Sequence, residues 1–156
     1  MNRYALCKNP IHLASFGFGS GLSPKAPGTV GTVMAIPLWL LLQQLPLAAY
    51  AGALLLTFAF GVFCCGYTAR AMGVHDDGSI VWDEFVGFWI TMVALPAEPL
   101  WILAGFVLFR FFDIIKPWPI KWLDKKVHGG FGVMIDDVLA GVFAAVILHA
   151  VLAFAV

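Results

Sequence analysis

Charge is what this sequence has least of. Only 12% of its 156 residues are Asp, Glu, Lys or Arg, about half the share of a soluble domain. Hydrophobic residues make up 62%, more apolar surface than a water-soluble chain of this length can hide. A net basic charge is also lacking. Nine basic and nine acidic residues cancel, with no basic stripe, so a nucleic-acid partner is excluded as the first reading. Cysteine is scarce. Cys7, Cys64 and Cys65 form neither a spaced disulfide framework nor a zinc pattern, and two of them are adjacent inside an apolar run. No cleavable signal peptide is expected at the start of this sequence, because Lys8, Asn9 and Pro10 interrupt its first apolar residues. Membrane entry then falls to the later segments. The length suits one domain, residues 1–156, and no internal repeat or low-complexity stretch divides it.

What the sequence does have is long apolar runs. They cover residues 29–45, 47–69, 85–95, 100–115 and 133–156. About 20 apolar residues cross a bilayer as a helix, so the pattern predicts an all-α, polytopic bundle. It would hold four to five membrane-embedded helices plus short interfacial ones. The third run reaches spanning length only if it starts near Ser79 and carries Asp83 and Glu84. Segments 79–95 and 99–115 are then two tilted spans or one re-entrant hairpin. Asn9-Pro10 should cap and open a short helix ending at Gly17, followed by an irregular Gly/Pro loop to Gly28. Pro117-Trp118-Pro119 forbids helix locally. After it, Ile120, Leu123 and Val127 share one face, which suits a helix in the interface plane with Trp118 and Trp122 at headgroup depth.

The scarce charge is unevenly placed. With the runs laid across a bilayer, all nine Lys and Arg fall on one side, with eight of the nine acids, all but Glu98. The basic excess in these loops marks that side as cytoplasmic, with the N-terminus inside and, for five spans, the C-terminus outside. Three acidic groups stand at helix ends there: Asp83-Glu84, Asp113 and Asp136-Asp137. Carboxylates at that depth need compensation. Salt bridges to Arg110 and Lys116, each three residues from Asp113, are one answer. A divalent cation is the other, and a set of oxygens without His or Cys suits Mg²⁺ or Mn²⁺ better than Zn²⁺. Consecutive helical residues point about 100° apart, so within each acidic pair one member should face an ion and the other support it. Gly87 and Gly141, one turn past the acids, would let those helices close up.

Other patterns carry less. The loop from Gly17 to Gly28, ahead of a helix starting near Thr29, could cradle a phosphate with backbone N–H groups. It is neither the GxGxxG fingerprint nor a Gly-Lys-Ser/Thr loop, so no nucleotide is expected. Cys64 and Arg70 have the spacing of thiol phosphatases, but Cys64 sits inside an apolar helix where a thiolate is disfavoured. His75 and His128 lie in polar loops and are acid–base candidates, while His12 and His149 read as structural. Asp77-Gly78 is not followed by the Ala-Arg of lipid-headgroup transferases. A cation- or proton-coupled transporter would place acids near the bilayer centre rather than at one end. A transporter and another Mg²⁺-dependent headgroup enzyme are the alternatives.

Five blocks taken together, Gly19-Ser20-Gly21-Leu22-Ser23-Pro24, Ala26-Pro27-Gly28-Thr29, Ser79 to Gly87, Phe109 to Pro119 and Met134 to Gly141, closely resemble the phosphatidylglycerophosphatase A family. The resemblance runs from about Phe16 to the C-terminus. It implies an all-α, Mg²⁺-dependent lipid phosphatase of the bacterial inner membrane, multi-pass, acting on phosphatidylglycerophosphate at the cytoplasmic face. One or two Mg²⁺ ions would be held by Asp83, Glu84, Asp113, Asp136 and Asp137, which thereby carry catalysis. Arg110, Lys116, Ser23 and Thr29 would bind the substrate phosphate. The expected partner is a phospholipid, with no nucleic acid and no nucleotide; oligomeric state is left open, as is the choice between attack by water and an aspartyl-phosphate. The Asp-x-Asp pattern of haloacid dehalogenases and the Ser-Gly-His block of lipid phosphate phosphatases are both missing.

Overall fold

A computed structural model describes residues 3–74 and 77–155, and these contain helices and no strand. The helices are α1 (Arg3–Leu6), α2 (Pro10–Ser15), a 3₁₀ segment (Gly17–Leu22), α3 (Pro27–Leu42), α4 (Leu47–Met72), α5 (Trp82–Thr91), α6 (Pro99–Ile115), α7 (Ile120–Lys126) and α8 (Gly129–Ala155). The all-α expectation holds. Asn9 caps α2 as its sequence predicts, its side chain accepting from the Ile11 N–H at 2.9 Å, with Pro10 in the first turn.

Two of these helices, α4 and α8, are long and apolar enough to cross a membrane. That is fewer than the four to five embedded helices read from the runs. Helix α3 is apolar but has 16 residues. Helix α6 has 17, a rise of about 25 Å. Helix α5 departs most from expectation. It does not start near Ser79 and has only ten residues, a rise of about 15 Å against a hydrocarbon core of about 30 Å. Its start is delayed because residues 79–81 are tied elsewhere: the Ile80 N–H donates to the Asp77 carbonyl and the Val81 N–H to the Ser15 carbonyl. Past Thr91 the chain turns at Ala94, whose φ is +53°.

Nine of the ten α5 residues are buried. Helix α5 lies against α8, α3 and α4, with α6 behind it. A short helix at membrane depth is tolerable when protein encloses it. Its aromatic residues make the core: Trp82 stacks on Phe85 at 5.6 Å, and Phe85 and Phe88 are fully buried. The polar tips are satisfied, Trp82 Nε1 donating to the Thr57 carbonyl and Trp89 Nε1 to the Ala35 carbonyl, both at 3.0 Å.

Helix α8 begins a turn earlier than its apolar run. Gly130, in that first turn, serves close packing. A Cβ there would lie 2.8 Å from the Gly66 nitrogen and would collide with the Val62 carbonyl, so α4 and α8 cross backbone to backbone. Gly87 and Gly141 do the same for α5 and α8. A Cβ on Gly87 would lie 2.8 Å from the Asp137 carbonyl, and one on Gly141 would strike the Gly87 carbonyl. Helix α7 buries Ile120 and exposes Trp122, and Trp118 just before it is 81% exposed.

Opposite ends of α3 mark the two ends of the bundle. Pro27 lines a cavity with Arg3, Ser23, Asp77 and Ser79. Gln43 lines another with Leu45, Leu47, Ala94 and Leu95.

Candidate active site

The first turn of α5 carries Asp83 and Glu84, both buried. Three tethers fix that turn. One is the Val81 N–H to Ser15 carbonyl bond at 2.9 Å. The others are steric: Gly31 admits Val81, whose Cβ would be 2.8 Å from a Cβ at that glycine, and Gly21 admits the Ser79 backbone. The glycine-rich segment, expected to be a plain loop or a phosphate cradle, is therefore a saddle for the chain entering α5.

Two turns inside α8, Asp137 meets this pair. Asp83, Glu84 and Asp137 each offer a carboxylate oxygen to a group in which all three lie within 4.8 Å of one another. Asp137 is 2% exposed. Asp136 and Asp137 diverge, as the 100° helical step requires. Asp136 accepts from Lys116 Nζ at 2.6 Å, and Lys116 also reaches Asp124 at 2.9 Å. Asp83 and Glu84 do not divide in that way, since both reach the same group.

Asp113, near the end of α6, is held by Arg110 three residues earlier, and Arg110 Nη1 also lies 3.5 Å from Glu84 Oε1. Asp113 is close enough to Glu84 and Asp137 for their charges to interact. The start of α3 closes this corner. A Cβ on Gly28 would strike Glu84 Oε1 and lie 3.0 Å from Arg110 Nη1, so only glycine lets that backbone approach. Sequence reasoning missed this role, although Pro27-Gly28 at a helix start was the available signal. Helix α3 has no side-chain cap, which leaves its first amides, Gly28 and Thr29, as donors beside the site.

The remaining candidates lie elsewhere. Ser23 donates to the Lys25 carbonyl at 2.9 Å and lines the cavity of about 340 Å³ with Arg3 and Asp77. His128 is exposed, its Nδ1 3.2 Å from the Lys126 carbonyl oxygen. His75 lies outside the described residues. At Lys116, burial opposes the charge of the ammonium, but Asp136 and then Asp124 outweigh it and raise the pKa above the ordinary lysine value. Asp77 is likewise buried in part, yet hydrogen bonds from Ser79 and Arg3 hold it below the ordinary carboxylate value.

The three-carboxylate group could hold a metal ion. Glu84 Oε2 and Asp137 Oδ2 are buried with no hydrogen-bond partner among the described residues. Buried carboxylate oxygens in that state need a cation or a proton. A donor set of oxygens alone fits a hard divalent ion.

Comparison with known proteins supports a single family. Residues 13–152 match the family model described as phosphatidylglycerophosphatase A. The chain is 56% identical over 142 residues to phosphatidylglycerophosphatase A of Escherichia coli (strain K12), covering 90% of this chain and 83% of that protein. It is 49% identical over 148 residues to phosphatidylglycerophosphatase A of Haemophilus influenzae, covering 92% and 89%. A protein of Bacteroides thetaiotaomicron with the provisional description phosphatidylinositol-3-phosphatase is 40% identical over 144 residues, covering 87% and 89%. No solved structure matches. Family model and relatives span nearly the whole chain, and the chain belongs to the phosphatidylglycerophosphatase A family, a family of lipid phosphatases.

Proposed function

We propose that this chain hydrolyses the terminal phosphomonoester of phosphatidylglycerophosphate, giving phosphatidylglycerol and inorganic phosphate. It does so as one domain over residues 1–156, a multi-pass bundle of the bacterial inner membrane with four to five embedded helices and its site facing the cytoplasm. The observation that carries this reading is the buried Asp83, Glu84 and Asp137 group beside Arg110. A negatively charged phosphate would be repelled by these acids unless a cation lay between them. The placement of all nine Lys and Arg in segments assigned to one side supports the orientation.

One or two Mg²⁺ ions are the proposed cofactor, with Mn²⁺ as a substitute. Bound there, such an ion would supply charge for the phosphate oxygens, activate a water and stabilise the leaving oxygen. The chain's own residues do the rest. Asp83, Glu84 and Asp137 hold the ion. Arg110 faces the phosphate with its Nε, a buried donor without a hydrogen-bond partner among the described residues. The amides of Gly28 and Thr29 add donors at a helix N-terminus, where negative charge is favoured. Asp113 and Asp136 serve as supports, because Arg110 and Lys116 engage them. In the overall reaction the water oxygen bonds to phosphorus, the bond from phosphorus to the glycerol oxygen breaks, and that oxygen leaves as a hydroxyl.

The test is phosphate release by the purified protein from phosphatidylglycerophosphate, stripped of metal and then supplied with Mg²⁺. Release that requires the metal is the expected result. Phosphatidylinositol 3-phosphate, named for the 40% identical relative, is the comparison substrate and should be hydrolysed more slowly. No release from either lipid at any Mg²⁺ concentration overturns the reading.

A further inference from the structure

Helix α7 has two unlike sides. At about 100° per residue, Ile120, Leu123 and Asp124 fall on one arc of the helix. Ile120 on that arc is fully buried, and α7 packs on α8. Lys121, Trp122, Lys125 and Lys126 fall on the opposite arc, and all four are exposed. The acid of this helix, Asp124, stays on the inner arc, where it accepts from Lys116 Nζ at 2.9 Å. The outer arc therefore carries three positive charges and no negative one, on a chain whose formal net charge is zero.

What flanks the outer arc points to what covers it. Ile114 and Ile115 end α6 with exposed apolar side chains, and Trp118 follows, more exposed still. From Ile114 to Lys126 the exposed side chains thus pass from apolar to aromatic to cationic. A bilayer has that order: hydrocarbon, headgroup boundary, negatively charged surface. An acidic soluble protein would match the lysines but leave Ile114, Ile115 and Trp118 in water. The arc also lies near the acidic group. Lys116 joins Asp124 of α7 to Asp136 of α8, the second contact at 2.6 Å, and Asp136 adjoins Asp137.

We infer that the outer arc of α7 is a docking surface for anionic phospholipid headgroups, and that it gathers negatively charged lipid beside the acidic group. That the gathered lipid includes the substrate rests on the proposed reaction, since phosphatidylglycerophosphate is itself anionic. The preference for anionic lipid does not rest on it. A lysine near an anionic bilayer surface contributes about 5-fold to association, and salt screens that contribution. None of the three lysines takes part in the proposed chemistry.

Electron paramagnetic resonance of spin-labelled lipids around the full-length protein in phosphatidylcholine bilayers tests this without any turnover. Spin-labelled phosphatidylserine, neither substrate nor product of the proposed reaction, is compared with spin-labelled phosphatidylcholine. Wild type should hold the serine lipid about 5-fold more strongly or better. Salt at about 1 M, where the Debye length is about 3 Å, should remove the preference. The triple variant Lys121→Gln, Lys125→Gln, Lys126→Gln should lose most of it and keep the wild-type melting temperature. The control Lys8→Gln, Lys25→Gln, Arg70→Gln removes the same charge from other exposed positions and should keep the preference. With phosphatidylglycerophosphate in the same bilayers, the α7 variant should show KM raised by about 5-fold or more and kcat unchanged. No preference in wild type, a preference that the α7 variant retains, or an equal loss in the control overturns the docking surface. The expected lipid preference with no turnover of phosphatidylglycerophosphate overturns the proposed reaction and leaves the docking surface standing.

Discussion

Five acids of similar standing in the sequence become three different things in space. Asp83, Glu84 and Asp137 converge. Asp113 is bound to Arg110, and Asp136 to Lys116. The acids were legible because charge is so rare in this chain. Their division was not, because it depends on which helix faces which, and no single segment encodes that. Lys116 shows the difference. From sequence it is a phosphate ligand; in the fold its ammonium is occupied by Asp136 and Asp124. Replacing Lys116 with Gln should therefore lower turnover by about 10–100-fold, the scale of an outer partner. The Lys116 pKa is raised by these acids, so the sign is definite. The contact is complete below the ordinary lysine value and is lost only as pH rises beyond it. A pH–rate profile from pH 6 to 9 should show no step from Lys116. Arg110→Lys should raise KM more than it lowers kcat, since a compact ammonium cannot replace a fork that spans Asp113, Glu84 and phosphate.

At the scale of helices, apolar runs were legible in the residues and helix limits less so. Helices α4 and α8 follow their runs. Helix α5 does not, because its length is set by ties to Ser15 and by the turn at Ala94 rather than by hydropathy. Helix α8 opens at Gly129, a turn before its apolar run. Gly87 and Gly141 were read as contact points and are contact points, where α5 and α8 meet at backbone distance. Gly141→Ala should cost about 1–3 kcal/mol of stability, the usual cost of overpacking. It should also weaken metal binding, because Asp137 is one turn away. Thermal melting in detergent with and without Mn²⁺ measures both effects.

For the whole molecule, the proposed topology follows from the sequence segments in which Lys and Arg are gathered. A reporter fused to the C-terminus should be found on the periplasmic side; a cytoplasmic signal would change the number of crossings. The fold adds what charge alone could not show. Nine-tenths of the short helix α5 is wrapped by α3, α4 and α8, so two adjacent carboxylates sit inside protein rather than in lipid. The family blocks found in the sequence are the pieces of this enclosure: the α2–α3 saddle, the α5 turn, the end of α6 and the middle of α8. The central claim is that Asp83, Glu84 and Asp137 form the metal centre of a lipid phosphatase. Its most direct test is Mg²⁺-dependent phosphate release from phosphatidylglycerophosphate by wild type and by Asp137→Asn, each shown to be folded. The account predicts a loss in the variant larger than the about 100-fold that outer partners cost, not recovered at high Mg²⁺. A variant that releases phosphate at the wild-type rate would contradict it.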